Sequence, residues 1–348
     1  MIAEWGMLPL QNPQQIEAPF KVTLSFTHTC NLDCRLCYAD CRRQGGRAEL
    51  DTSDWQRFID QCAADGVIAL LVEGGEPLHR SDALAVLGHA TPLMLTRLRT
   101  NGTLVTAQRA NEIAAMGVAA VLVDVWGARA ATHDFLTGTP GAFERAIAGV
   151  RHLLAAGVET QMLLILNRHN IDELQDYLTL AESLGVTTVG ILRPYPIGRA
   201  RREWKDLAVP LVEMTAALAA LRPPEGMRVM QSWHPNDGNC CWQMAAVNAH
   251  GDSIGCTYLR EFVNYGNVRA TSLRSTWDHP LYRELRAGHV ERSCASCAHT
   301  QGSHGGCRST AYAFSGRWSA ADPFDAGLNE GIDLRELPDW MLQEKPRP

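Results

Sequence analysis

The chain has 348 residues, 46% of them hydrophobic, and its 32 lysines and arginines against 38 aspartates and glutamates leave a net charge of −6. That length predicts about two domains, or one barrel with an appendage, and the apolar content is ample for a core. The mildly acidic balance offers nucleic-acid phosphates no general attraction. The first twenty residues lack the basic start and apolar centre of a secretory signal, and no apolar run reaches the ~18–20 residues that span a bilayer. The expected setting is the cytoplasm, with neither nucleic acid nor membrane as partner. There, eleven cysteines argue for metal ligation over disulfides, because cytosolic thiols are kept reduced.

Residues 1–19 form an irregular leader. From residue 20 onward, short apolar runs alternate with longer helical patterns, as in βα units around a parallel sheet. The expected strands are 21–26, 67–72, 94–99, 119–124, 160–166 and 187–192, each mostly apolar, as a strand buried on both faces should be. Apolar residues recurring at three and four predict helices over 52–64, 82–89, 107–116, 141–156, 171–184 and 211–221. Thr52-Ser53-Asp54 and Asp172 supply N-terminal capping chemistry. Arg222-Pro223-Pro224-Glu225-Gly226 breaks the pattern and marks a domain boundary. Six units are fewer than the eight of a closed barrel, so the expected fold is α/β, a partial (β/α)6 TIM-like barrel over 20–222. A small loop-rich module over 226–325 and a tail over 326–348 follow. In such barrels, chemistry gathers on the loops after the strands.

Cys30, Cys34 and Cys37 follow the first strand in a CxxxCxxC spacing. Three thiolates on a tight loop can hold three irons of a cubane cluster and leave the fourth open. Structural zinc wants four closed ligands, which three cysteines fit poorly. Glu73-Gly74-Gly75-Glu76-Pro77 ends the second strand on the same rim, where two glycines leave backbone groups unshielded for a close-lying ligand. The C-terminal module holds Cys241, Cys256, Cys294, Cys297 and Cys307, more than one cubane needs. Cys240 is an alternative to Cys241, since neighbours in extended chain point oppositely. A zinc ribbon using Cys294 and Cys297 is the competing reading. Cys41 and Cys62 read as ordinary thiols.

The cysteine triplet followed by Gly74-Gly75-Glu76-Pro77 resembles the radical S-adenosylmethionine superfamily. The resemblance implies a [4Fe-4S] cluster on Cys30, Cys34 and Cys37 that binds S-adenosylmethionine through its open iron. Gly74, Gly75, Glu76 and Pro77 would lie at the methionine end, with Thr100, Asn101, Asp124 and Arg193 around the rest of the cofactor. Asp124-Val125-Trp126-Gly127 stands where many relatives carry Ser-x-Asp-Gly, and Leu36 replaces the usual aromatic before the third cysteine. Cys241, Cys256, Cys294, Cys297, Cys307 and Gly266-Asn267-Val268 with Leu273 and Trp277 resemble the SPASM and twitch domains, which implies at least one auxiliary [4Fe-4S] cluster. His304 and Asp325 stand where that pattern has cysteines; as ligands they would complete a second cluster.

The implied activity is that of a radical oxidoreductase or maturase, whose 5′-deoxyadenosyl radical takes hydrogen from a C–H of a peptide or protein. Two alternatives stand beside it: a dehydrogenase or epimerase acting on a sugar or aminocyclitol, and an iron–sulfur electron-transfer protein without turnover. The implied partners are the peptide or small-molecule substrate and an electron donor such as flavodoxin or ferredoxin. The leader leaves no room for a fused peptide-recognition domain, so a separate recognition protein is the expected substitute. No general base is identifiable, and His28, His133 and Asp134 are rim residues of unassigned role.

Overall fold

The computed structural model describes residues 16–41, 48–231, 243–287, 290–291 and 305–343. Cys240, Cys241, Cys294, Cys297 and His304 lie outside the described residues. Six strands fall where the apolar runs predict them, within two residues at each end: β1 (Lys21–Ser25), β2 (Ala69–Glu73), β3 (Leu95–Thr100), β4 (Ala120–Asp124), β5 (Thr160–Ile165) and β6 (Thr188–Leu192). Two more, β7 (Arg228–Gln231) and β8 (Met244–Val247), lie beyond the break at 222–226. They extend the sheet to eight strands in the order β7-β6-β5-β4-β3-β2-β1-β8, every neighbouring pair parallel. The end strands β7 and β8 are not paired with each other, so the barrel stays open between them. Both additional strands are only four residues long; β7, Arg228-Val229-Met230-Gln231, is polar at both ends and partly exposed, and β8, Met244-Ala245-Ala246-Val247, is apolar but too short to stand out as a strand.

The helices are α1 (Thr52–Ala64), α2 (Ala83–Ala90), α3 (Ala107–Ala115), α4 (Ala130–Thr137), α5 (Ala142–Ala155), α6 (Leu174–Leu184), α7 (Gly198–Arg202), α8 (Trp204–Leu207) and α9 (Leu211–Ala220). The cap of α1 is Asp51, one residue before the expected segment, and it forms a reciprocal box with Asp54. Asp172 makes no cap: it lies in a single 3-10 turn, Ile171–Glu173, that leads into α6. The alternation along each strand divides the core in two. Val121, Val123, Met162 and Leu164 point outward into one apolar cluster with Trp55, Ile59, Val150 and Tyr177 of the helices. Ala120, Leu122, Leu163, Ile165 and Leu192 point inward and form a second cluster inside the barrel with Leu36 and Trp126.

Beyond β8 the chain makes isolated antiparallel bridges, Val247 with Ser253 and Asp252 with Asn267, and then the helices α10 (Leu273–Trp277), α11 (Pro280–Ala287), α12 (Arg308–Ser315) and α13 (Asp339–Leu342). Leu273 and Trp277, noted in the sequence, are wholly buried there. This region is fastened to the barrel. Trp204 Nε1 donates to the Leu334 carbonyl, and Arg260 to the Ser25 hydroxyl at the end of β1. No helix among the described residues is long and apolar enough to cross a membrane.

Candidate active site

The chain leaves β1 directly into the cysteine loop, which continues the sheet's hydrogen bonding along the end of β2. Phe26 N donates to Glu73 O (2.7 Å), Gly75 N to Thr27 O (2.6 Å) and Glu76 N to Thr29 O (2.9 Å). This pairing explains the glycines. Gly74 sits at φ +153°, and a Cβ there would lie 2.8 Å from Thr27 backbone atoms; one on Gly75 would lie 1.9 Å from Thr29 O. The glycine pair therefore admits the backbone of the cysteine loop, a close approach that the sequence does not reveal. On the other side the loop is held by the end of α4, where Thr137 O accepts from Asp33 N and Leu136 O from Arg35 N.

Cys30, Cys34 and Cys37 line one recess at the C-terminal rim of the strands, together with Gly74, Gly75, Thr100, Asn101 and Asp124. It holds about 630 Å³ of space free of protein atoms, part of it continuous with solvent. Leu32, Leu36, Trp126 and Ile165 supply its apolar wall. The polar side is built on the strand ends. Arg99 Nε donates to both oxygens of Asp124 (3.0 and 3.2 Å), its Nη1 lies 3.5 Å from Glu73, and Tyr38 OH donates to Glu73 (2.7 Å). From the C-terminal region Tyr258 joins this group: it hydrogen-bonds Arg99 and stacks on Tyr195, with ring centroids 3.6 Å apart. Burial pushes the Asp124 carboxyl up to about 6, against the pull of Arg99.

Glu76 is wholly buried, and its carboxylate accepts from Thr100 Oγ1 (2.7 Å), Asn101 N (2.7 Å) and Leu78 N (3.0 Å). It thus stitches the rim after β2 to the rim after β3. Burial lifts it to about 7. Pro77 opens the short 3-10 turn that follows.

The sulfurs are provided with donors suited to thiolates. Leu32 N (3.4 Å) and Asn101 Nδ2 (3.9 Å) point to Cys30 Sγ, and the Trp126 side chain hydrogen-bonds Cys34. Burial pushes Cys30 up to about 12 and Cys34 well above its usual range. Cys37 is held below its usual range, chiefly by the neighbouring Cys41 thiol. Among the described residues no three histidine, cysteine or acidic side chains converge as ligands of a single ion. Three cysteines spread around one recess, each with N–H or S–H donors, instead fit a cluster in which each thiolate binds a different iron. Of the auxiliary cysteines, Cys256 and Cys307 are described, and both are buried.

Several residues anticipated at the rim are engaged elsewhere. Arg193 is 2% exposed and pairs with the wholly buried Asp322 of the C-terminal region (2.6 Å), so it joins the two regions and does not line the recess. Asp134 accepts from Gly141 N and Phe143 N at the start of α5. The His28 ring stacks on His250, centroids 5.1 Å apart. Asp325 is wholly buried and accepts from Gly327 N.

His133 is wholly buried, and its Nδ1 accepts from Trp126 N (2.9 Å), which fixes the neutral ring. Burial lowers its pKa from 6.5 to about 4. Between those values the unfolded chain binds a proton that the folded chain does not, so stability present above pH 6.5 is lost as the pH falls through 4. The loss amounts to about 3 kcal/mol. H133N keeps an acceptor for Trp126 N. Urea denaturation from pH 7 to 4 is expected to show a shallower acid limb in that variant, and equal limbs would contradict this account.

Cys41, Tyr38, Glu73 and Arg99 all line the recess; the sequence places Glu73 and Arg99 on rim segments without giving either side chain a role, and gives Cys41 and Tyr38 no place there. The available signals were charges at the inward-facing ends of the apolar strands β2 and β3, and a fourth cysteine close behind the third. Tyr258 had no signal, because only the fold brings it to Arg99.

Residues 24–181 match the family model described as the radical SAM superfamily, and residues 240–298 match that of the SPASM iron–sulfur cluster-binding domain. The AdoMet-dependent heme synthase of Methanosarcina barkeri is 29% identical over 342 residues, covering 88% of this chain and 96% of the synthase. Mycofactocin maturase MftC of Mycolicibacterium smegmatis is 29% identical over 312 residues, covering 84% and 79%. Among solved structures, Streptococcus suis SuiB bound to the precursor peptide SuiA shares the fold with a TM-score of 0.73 at 15% identity, covering 90% of this chain and 76% of SuiB.

Proposed function

We propose, from the premise that this chain belongs to the radical S-adenosylmethionine superfamily and carries its SPASM region, that it is a maturase taking hydrogen from a C–H bond of a peptide or protein. It is a radical S-adenosylmethionine enzyme, with a [4Fe-4S] cluster, S-adenosylmethionine and auxiliary iron–sulfur as cofactors. This sets aside the reading as a simple electron carrier. When bound, the reduced cluster and S-adenosylmethionine supply a 5′-deoxyadenosyl radical able to remove hydrogen from an unactivated carbon.

The observation that carries the assignment is the recess itself, which gathers Cys30, Cys34 and Cys37 with the Gly74-Gly75 rim, Thr100, Asn101 and Asp124. In this reading the three cysteines hold the radical cluster, and the rim from Gly74 to Pro77 with Thr100 and Asn101 cradles the methionine end. Asp124 keeps acceptor capacity for a ribose hydroxyl beyond its two bonds from Arg99, since a carboxylate accepts about four. Leu36, Trp126 and Ile165 exclude water from one wall, so that a reactive carbon meets its target first. Arg193, engaged by Asp322, is assigned to holding the C-terminal region. That region, spanning about 226–325, carries the auxiliary cluster, with Cys256 and Cys307 among its ligands. A flavodoxin- or ferredoxin-like donor and a separate peptide-recognition protein complete the reading.

The peptide substrate is supported by the names of MftC and of SuiB bound to its precursor peptide. A small-molecule reading draws support from the near full-length match to a heme synthase. To decide between them, the anaerobically reconstituted, reduced enzyme is incubated with S-adenosylmethionine and three substrate sets: short peptides encoded beside its gene, tetrapyrroles, and sugar or cyclitol alcohols. The expected result is 5′-deoxyadenosine formation coupled to a mass change in a peptide. Turnover confined to tetrapyrroles or alcohols rejects the peptide and leaves the radical chemistry standing.

A further inference from the structure

The recess holds a fourth thiol. Cys41 is 3% exposed, lines the same cavity as the three motif cysteines, and belongs to the buried cluster against which Cys34, Cys37 and Tyr38 pack. Its position depends on an uncommon backbone turn. Asp40 has φ 48°, the one non-glycine residue at positive φ among those described, a conformation unfavourable to an L-residue. The turn is held from α7. The Asp40 carboxylate accepts from Arg202 (2.8 Å) and lies 3.6 Å from Arg199. Arg199 in turn donates to the carbonyls of Cys34 (2.9 Å) and Cys41 (2.7 Å) through its guanidinium, and to that of Cys37 (2.8 Å) through its backbone N–H. One arginine thereby sets the relative positions of three cysteines.

We propose that Cys41 is a positioning residue for the radical cluster, its thiol donating a hydrogen bond to Cys37 Sγ and raising the reduction potential of the cluster that Cys37 binds. This rests on the reading of Cys37 as a ligand. A ligating sulfur is a thiolate and carries no proton, so within the Cys37–Cys41 pair only Cys41 can be the donor. A hydrogen bond to a cluster sulfur stabilises the more negative, reduced state, and such bonds are one of the means by which a protein tunes cluster potential. Easier reduction favours the one-electron step on which the enzyme depends.

The test is a redox titration of the full-length, reconstituted protein followed by electron paramagnetic resonance, in the wild type, C41A and C41S. The radical-site signal is identified as the one that changes when S-adenosylmethionine is added. The expected result is unchanged iron content and a more negative potential in C41A. At fixed poise its reduced-to-oxidised ratio falls about three- to tenfold, the worth of one hydrogen bond. C41S, whose hydroxyl still donates, lies between the two. Equal potentials in all three proteins overturn the proposal. So does loss of radical-site iron in both variants, which would make Cys41 a ligand or a packing element. Absence of a cofactor-sensitive signal from the wild type overturns the parent reading of the site and this inference with it.

Discussion

Replacing Cys30, Cys34 and Cys37 together with alanine is expected to reduce S-adenosylmethionine cleavage to background. The three thiolates are the donors that line the recess, and without them no iron is held where the cofactor would bind. Cleavage is measured as 5′-deoxyadenosine released by the reduced protein, and wild-type levels in the triple variant would sink the assignment of the site. The same protein reports on the C-terminal region. About four irons per chain should remain if that region holds one cubane, and about eight if it holds two. The second outcome would give a ligand role to His304 and Asp325. Zinc in place of iron would restore the ribbon reading of Cys294 and Cys297.

The second large effect is expected at Arg193. Its guanidinium and the Asp322 carboxylate meet at 2.6 Å with side-chain exposures of 2% and 0%. Asp322 also accepts from Cys307 N (2.9 Å), Thr310 Oγ1 (2.6 Å) and Phe324 N (3.1 Å). Removing one member of a buried pair strands the other charge and costs about 3–5 kcal/mol, whereas replacing both by apolar residues is often near neutral. Arg193→Met is therefore expected to destabilise the protein by about that amount, and Arg193→Met with Asp322→Leu by less. Because Asp322 bonds the backbone of Cys307, the single variant should also lose auxiliary iron before radical-site iron. Urea denaturation, with iron quantification in both the native and the triple-cysteine backgrounds, separates the two effects. A single variant as stable as the wild type would show that the pair does not bind the C-terminal region to the barrel.

Much of the barrel was legible because its determinants are local. β2, β4, β5 and β6 are short, mostly apolar segments of five or six residues, and a strand buried on both faces needs little beyond its own composition to be recognised, while β1 and β3 keep apolar residues at alternate or near-alternate positions. The cysteine triplet is equally local: its spacing lies on one loop, directly behind a strand, and reads without knowledge of any other segment. α1 was anticipated at its observed bounds, although its cap was misplaced by one residue, since Asp51 and Asp54 choose each other through side-chain geometry.

The sequence by itself thus determined the first six strands, six of the helices that follow them, the cysteine loop and the family to which it is similar; α4, α7 and α8 were not foreseen. Tertiary structure decided what those residues do to one another. β7 and β8 are recognisable as strands only through the neighbours that supply their hydrogen bonds. Gly74 and Gly75 look like a rim for a ligand, and only the fold shows that they must also admit the backbone of Thr27 and Thr29. Arg193 looks like a rim cation until Asp322, 129 residues away in the chain, is found beside it. Cys41 looks like an ordinary thiol until the turn at Asp40 brings it against Cys37. The physical reason is common to all of these: hydrophobic burial follows composition and periodicity, which a short window contains, whereas a polar or glycine position is defined by the partner at its end, and chain folding alone brings that partner within 3 Å or so.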